Sequence, residues 1–148
     1  MWFFEDDVYF SNEETLLSLD SKYPSSDLLT NIDGYGKNHS GDKSSWHWSR
    51  IDINMEPPYY CCCICCVRMS SDLLSKIRSY ATSNNTLFFI EAMFPTVCNS
   101  SGLQVSTPPE ILTYWRRDWL DSEIVVGNIY HPVKDPEKHI YYRSLVRF

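Results

Sequence analysis

Three consecutive acids, Glu5-Asp6-Asp7, stand between the aromatic runs Trp2-Phe3-Phe4 and Val8-Tyr9-Phe10. Carboxylates placed so close repel one another and lose solvation, which raises their pKa values or calls in a counter-ion. A divalent cation bridging to a diphosphate supplies that counter-charge, and oxygen ligands suit the hard ions Mn²⁺ and Mg²⁺. Asp7 is the first choice as direct ligand, with Glu5 and Asp6 beside it. The rival reading is a solvated turn in which Asp7 or Asn12 caps the next element, since short acidic triplets are common. The position of the triplet, inside an aromatic run rather than a polar loop, favours chemistry.

Glu91 is the second candidate. A carboxylate within Phe88-Phe89-Ile90-Glu91-Ala92-Met93-Phe94 should have a raised pKa, which suits a general base working near neutral pH. The alternative is a Glu paired with a cation or turned outward from a helix. Trp46, His47, Trp48 and Arg50 have the makings of a sugar platform, rings for the C–H face and polar groups for hydroxyls. Packing of the tryptophans into the core competes with that reading. Arg116, Arg117, His131 and Lys134 bring positive charge late in the chain, suited to holding a diphosphate by charge-assisted bonds or to a solvated surface.

Cys61, Cys62, Cys63, Cys65 and Cys66 crowd one stretch, and Cys98 lies far off. Zinc sites usually space their ligands by two to four residues and use two separated pairs. Cys62/Cys65 and Cys63/Cys66 fit that spacing, but Cys98 is the only distant thiol, and a strand sends successive side chains to opposite faces. The expectation is therefore a buried strand with cysteine as a small apolar residue, not a metal cage. A disulfide to Cys98 in an oxidising compartment is the alternative.

These residues need elements to position them. Residues 2–4 and 8–10 read as one buried strand and its exit, in a two-sided parallel sheet. Ser11-Asn12-Glu13-Glu14 starts a short helix that ends near Tyr23-Pro24. Residues 26–30 suggest a short strand, and residues 31–45 a long surface loop. Residues 59–69 read as a second apolar strand. Ser70-Ser71-Asp72 caps a helix through about Ser83, broken at Asn84-Asn85. Residues 86–97 read as a mainly helical buried segment with a kink at Pro95, a strand being the alternative, and residues 102–106 as a short strand before Pro108-Pro109. Beyond that the chain reads as aromatic-rich and irregular.

The whole chain of 148 residues is one domain's worth, and 43% hydrophobic and 15% aromatic residues make it globular. A formal charge of −6 without a Lys/Arg block argues against nucleic acid as the main partner. No apolar run approaches the ~20 residues of a membrane span, and residues 1–10 carry no basic start of a signal peptide. In open α/β sheets the ligand crevice lies at the carboxyl ends of strands, half of it built by earlier βαβ units. An acidic motif so early predicts a fragment whose first half is missing.

Taken in order, the acidic triplet, the Phe-Phe-Ile-Glu-Ala-Met-Phe-Pro-Thr segment and a Trp followed by His131-Pro132-Val133-Lys134 resemble the second half of GT-A-fold glycosyltransferases. Glu5-Asp6-Asp7 is similar to their acidic DXD motif. The later motifs are closest to the core-2/I-branching N-acetylglucosaminyltransferase and xylosyltransferase group, and Glu-Asp-Asp-Val looks more like lipopolysaccharide-type enzymes. The resemblance covers most of residues 1–135 through short motifs. It implies an α/β fold with a partial, Rossmann-like mixed sheet flanked by helices, the N-terminal nucleotide-binding units missing. It also implies a nucleotide-sugar donor held through Mn²⁺ or Mg²⁺, a glycan or glycoconjugate acceptor, inversion with Glu91 as base, and the Golgi lumen if the source is eukaryotic. Asn38-His39-Ser40, Asn84-Asn85-Thr86 and Asn99-Ser100-Ser101 fit the N-glycosylation pattern, at a frequency that chance explains in so Asn/Ser-rich a chain. The alternative functions are a non-catalytic carbohydrate-binding or interaction module built on Trp46 and Trp48, and a structural metal-binding protein centred on the cysteine cluster.

Overall fold

Strand Trp2–Phe4 (β1) ends at the acids, and Tyr9–Phe10 (β2) begins a separate sheet. The computed structural model describes residues 1–31, 36–38, 41–42, 44–114 and 118–146. Among them the remaining elements are α1 (Glu14–Lys22), β3 (Leu28–Leu29), β4 (Gly36–Asn38), β5 (Tyr59–Cys61), β6 (Cys66–Met69), α2 (Ser71–Asn84), α3 (Ile90–Ser100), β7 (Val105–Ser106), β8 (Ile111–Thr113), β9 (Ile129–His131) and α4 (Pro136–Leu145). The strands form three sheets, ordered β1-β6-β3-β7, β2-β9-β8 and β4-β5. Both larger sheets are mixed: β3/β7 and β8/β9 are parallel, the other pairs antiparallel. The fold is α/β, with mixed sheets and four α-helices among the described residues.

Several expectations need correction. β1 is not a two-sided parallel strand; it is an edge strand, antiparallel to β6, and Phe3 is 42% exposed. The acids therefore lie in a link between two sheets rather than within one strand's exit. The cysteine-rich run is two strands, β5 and β6, which join different sheets across residues 62–65. Nothing in its apolar composition marks that break. Part of the expected loop 31–45 is β4, paired to β5. The C-terminal stretch, expected to be irregular, contains β8, β9 and α4.

The two helices expected between residues 70 and 100 are present. Ser70 caps α2 by accepting from the amide of Leu73 at 3.0 Å, and Asn85 ends it in the left-handed conformation. Leu73, Ala92, Met93, Val97 and Cys98 pack under β3 and β6 in the largest core. Arg68 on β6 clamps α1 to this sheet, donating to Asp20 Oδ1 at 2.8 Å and to the carbonyls of Tyr23 and Ser26. A second core lies behind β9, where Tyr9, Trp119, Ile124, Tyr130, Val133 and Tyr142 meet. None of the described helices is long and apolar enough to cross a membrane.

Candidate metal centre and cleft

The link between β1 and β2 is held at both ends by backbone bonds. Glu5 N–H donates to Cys65 O at 2.8 Å, Val8 N–H returns to Glu5 O, and Asp7 O accepts from Val133 N–H at 2.7 Å. The last bond sets the acids against the end of β9, where His131 stands. His131 Nε2 lies 3.4 Å from Glu5 Oε2 and 3.3 Å from Asp7 Oδ1. Glu5, Asp7 and His131 offer three ligand atoms within 4.8 Å of one another. Two oxygens and an imidazole nitrogen fit a hard or borderline divalent ion. Asp6 is outside this trio.

Asp6 instead faces a cleft of about 500 Å³ that it shares with Asp7, Lys134, His139 and Arg143. α4 forms the far wall. Its start is fixed by Pro136 in the first turn and by Asp135, whose carboxylate accepts from Glu137 N–H. His139 Nε2 is 2.7 Å from the carbonyl of Val133 and its ring meets Tyr9 edge-on, so the wall is tied to the link that carries the acids. The cleft is thus lined by two carboxylates, Asp6 and Asp7, and by two cations, Lys134 and Arg143.

Glu91 stands in the first turn of α3. Its backbone is positioned by a proline four residues on. Pro95 has no N–H to give the carbonyl of residue 91, and that carbonyl accepts from Cys62 N–H at 2.9 Å instead. The mid-helix proline therefore docks the first turn onto the chain just after β5. Thr96 completes the attachment, its hydroxyl accepting from Tyr60 N–H and donating to Tyr60 O. Burial pushes the Glu91 carboxyl above its ordinary pKa; His47 pulls it down and Glu5 adds to the rise.

Trp46 and His47 lie beside Glu91. Trp46 is 41% exposed and packs on Phe89, and the His47 ring meets Phe89 edge-on. Trp48 is different: it is buried in the large core against Tyr59, so it offers no face to a sugar. That corrects its assignment to the platform, and Phe89, 45% exposed, takes its place. Arg50 is exposed at the end of a short 3-10 turn, Trp48–Arg50. Lys134 lines the cleft. His131 turns to the carboxylates rather than to a diphosphate. Arg116 and Arg117 lie outside the described residues.

All six cysteines are free and buried, as expected of small apolar residues, and burial pushes the thiols of Cys62 and Cys66 far up. Sequence reasoning missed Arg143 and Phe89. A signal for Arg143 was present: Pro136, His139, Ile140 and Arg143 stand at helical spacing, and all line the cleft. The chain matches no protein-family model, no curated protein and no solved structure.

Proposed function

We propose that this chain is the metal- and acceptor-binding part of a GT-A-like glycosyltransferase that moves a sugar from a nucleotide-sugar donor to an acceptor hydroxyl with inversion. One observation carries the reading: Glu5, Asp7 and His131, from distant parts of the sequence, meet beside a cleft that Lys134 and Arg143 also line. Mn²⁺ or Mg²⁺ held by the trio would supply Lewis-acid charge to the diphosphate leaving group. Lys134 and Arg143 hold the same diphosphate by charge-assisted bonds. Glu91, kept basic by burial, accepts the acceptor's hydroxyl proton. Trp46, His47 and Phe89 form the surface on which the acceptor's sugar ring rests. That exposed cluster equally supports a second reading, a carbohydrate-binding module that needs no metal.

Calorimetric titration of Mn²⁺ separates the two. Binding should tighten by about ten-fold or more when a nucleoside diphosphate is present, and Asp7→Asn should abolish that gain, an effect of the order seen when a metal site loses a supporting group. Equal affinity in wild type and Asp7→Asn, with or without nucleotide, would overturn the transferase reading and leave the binding module.

A further inference from the structure

The imidazole of His131 has thiols near it as well as carboxylates. Residues 62–65 link β5 to β6, and the chain bends at Cys65. Cys63 and Cys65 therefore converge, their sulfurs 3.3 Å apart. The registered neighbours Thr113 and His131 on β8 and β9 close over them, with the Thr113 hydroxyl 3.7 Å from Cys65 Sγ. Cys63 Sγ, Cys65 Sγ and a ring nitrogen of His131 lie within 4.8 Å of one another, all three residues buried.

We propose that Cys63, Cys65 and His131 form a second cation site, selective for a thiophilic ion of the Zn²⁺ class and separate from the carboxylate trio except for the shared imidazole. Two sulfurs and one nitrogen are the donor set that zinc accepts and that Mg²⁺ and Mn²⁺ refuse. Zn–S bonds of ~2.3 Å at tetrahedral angles separate two sulfurs by about 3.8 Å, so the pair needs to open by only about half an ångström. Charge also balances. Two thiolates and a neutral imidazole neutralise a dication, which is what a buried position demands. Binding expels the two thiol protons into solvent, so affinity rises with pH. Three protein ligands leave a tetrahedral ion one position for water. The expectation of no metal cage rested on Cys pairs three residues apart and on Cys98; the ligand that completes the set comes from β9.

The proposal stands without the transferase reading, and the test keeps them apart. Zinc is added in equimolar amount to the reduced wild-type chain, and X-ray absorption at the zinc edge reads the ligands. The expected shell is two sulfurs at ~2.3 Å and nitrogen or oxygen at ~2.0–2.1 Å. A shell of nitrogen and oxygen alone overturns the proposal, and this arm needs no variant to fold. Cys63→Ser with Cys65→Ser should remove the sulfur shell, whereas Cys61→Ser with Cys66→Ser should keep it; the reverse pattern also overturns it. Asp7→Asn should leave the sulfur shell intact while weakening Mn²⁺. If Asp7→Asn removes zinc as well, the ion belongs to the carboxylate trio and the second site does not exist.

Discussion

The large core under α2 and α3 and the small core behind β9 are built on different principles. The first is an apolar cluster in which Leu28, Val67, Leu73 and Met93 are almost fully buried. Its stability comes from area removed from water, which is strong but not directional. The second is made of rings that carry polar handles. Tyr130 Oη accepts from Val125 N–H at 2.6 Å and donates to Glu123 O at 2.8 Å, and Tyr142 Oη donates to Trp119 O. Trp119 stacks on Tyr114 and meets Tyr130 edge-on. Such bonds fix orientation as well as position. The difference matches the work of each region. The large core holds Glu91 on a docked helix, while the small one aims His131, the residue after Tyr130, at two carboxylates.

Glu91→Gln should give the largest effect, and it tests whether the rim of the large core does chemistry. Loss of a general base lowers turnover by about 10²–10⁴, with nucleotide affinity nearly unchanged. Stability should move the other way. Because burial raises this carboxyl's pKa in the folded chain, the native state holds its proton more tightly than the unfolded state. The wild type is thus at full stability below the unfolded value, about 4.3, and loses some as pH rises through the folded value. The melting temperature of Glu91→Gln should therefore gain on wild type as the pH rises above about 4.3. Near-normal turnover, or a variant that does not fold, would mean a structural Glu.

Next in size is Leu73→Ala, which empties a fully buried position of the large core. A loss of about 2–5 kcal/mol is expected in denaturant unfolding, with Mn²⁺ affinity of the remaining folded protein unchanged. A parallel fall in affinity would show that the two regions are not separable. The smallest expected effect is Tyr130→Phe, which strands Val125 N–H and Glu123 O. About 1–3 kcal/mol of stability should go, and here Mn²⁺ affinity should fall with it, because the bond that orients β9 is lost. Unchanged affinity would remove the directional role assigned to the small core.

The same contrast explains how much of the fold and site was legible in the sequence. The helix after Ser70 and the buried one around Glu91 announce themselves by cap residues and by unbroken apolar runs, both local signals. β8 and β9 have three residues each, too few for a period to show. The break between β5 and β6 is hidden because its residues, Cys62 to Cys65, are as apolar as the strands. At the site, the acids and Glu91 stood out as charges in apolar company. The partnership of His131 with Glu5, Asp7, Cys63 and Cys65 did not, because it arises from strand pairings between distant parts of the chain. Trp48 and Phe89 exchanged roles for a similar reason: composition does not tell which aromatic faces inward.

The bond from Val133 N–H to Asp7 O joins residues separated by most of the sequence. During synthesis the carboxylates leave the ribosome well ahead of their imidazole and wait for all the intervening chain to appear. Contacts of such separation are the last to be rewarded in folding, after the entropy of closing the loop between them has been met. A half-made chain consequently lacks the cluster of Glu5, Asp7 and His131, which comes together only in a chain that has closed upon itself.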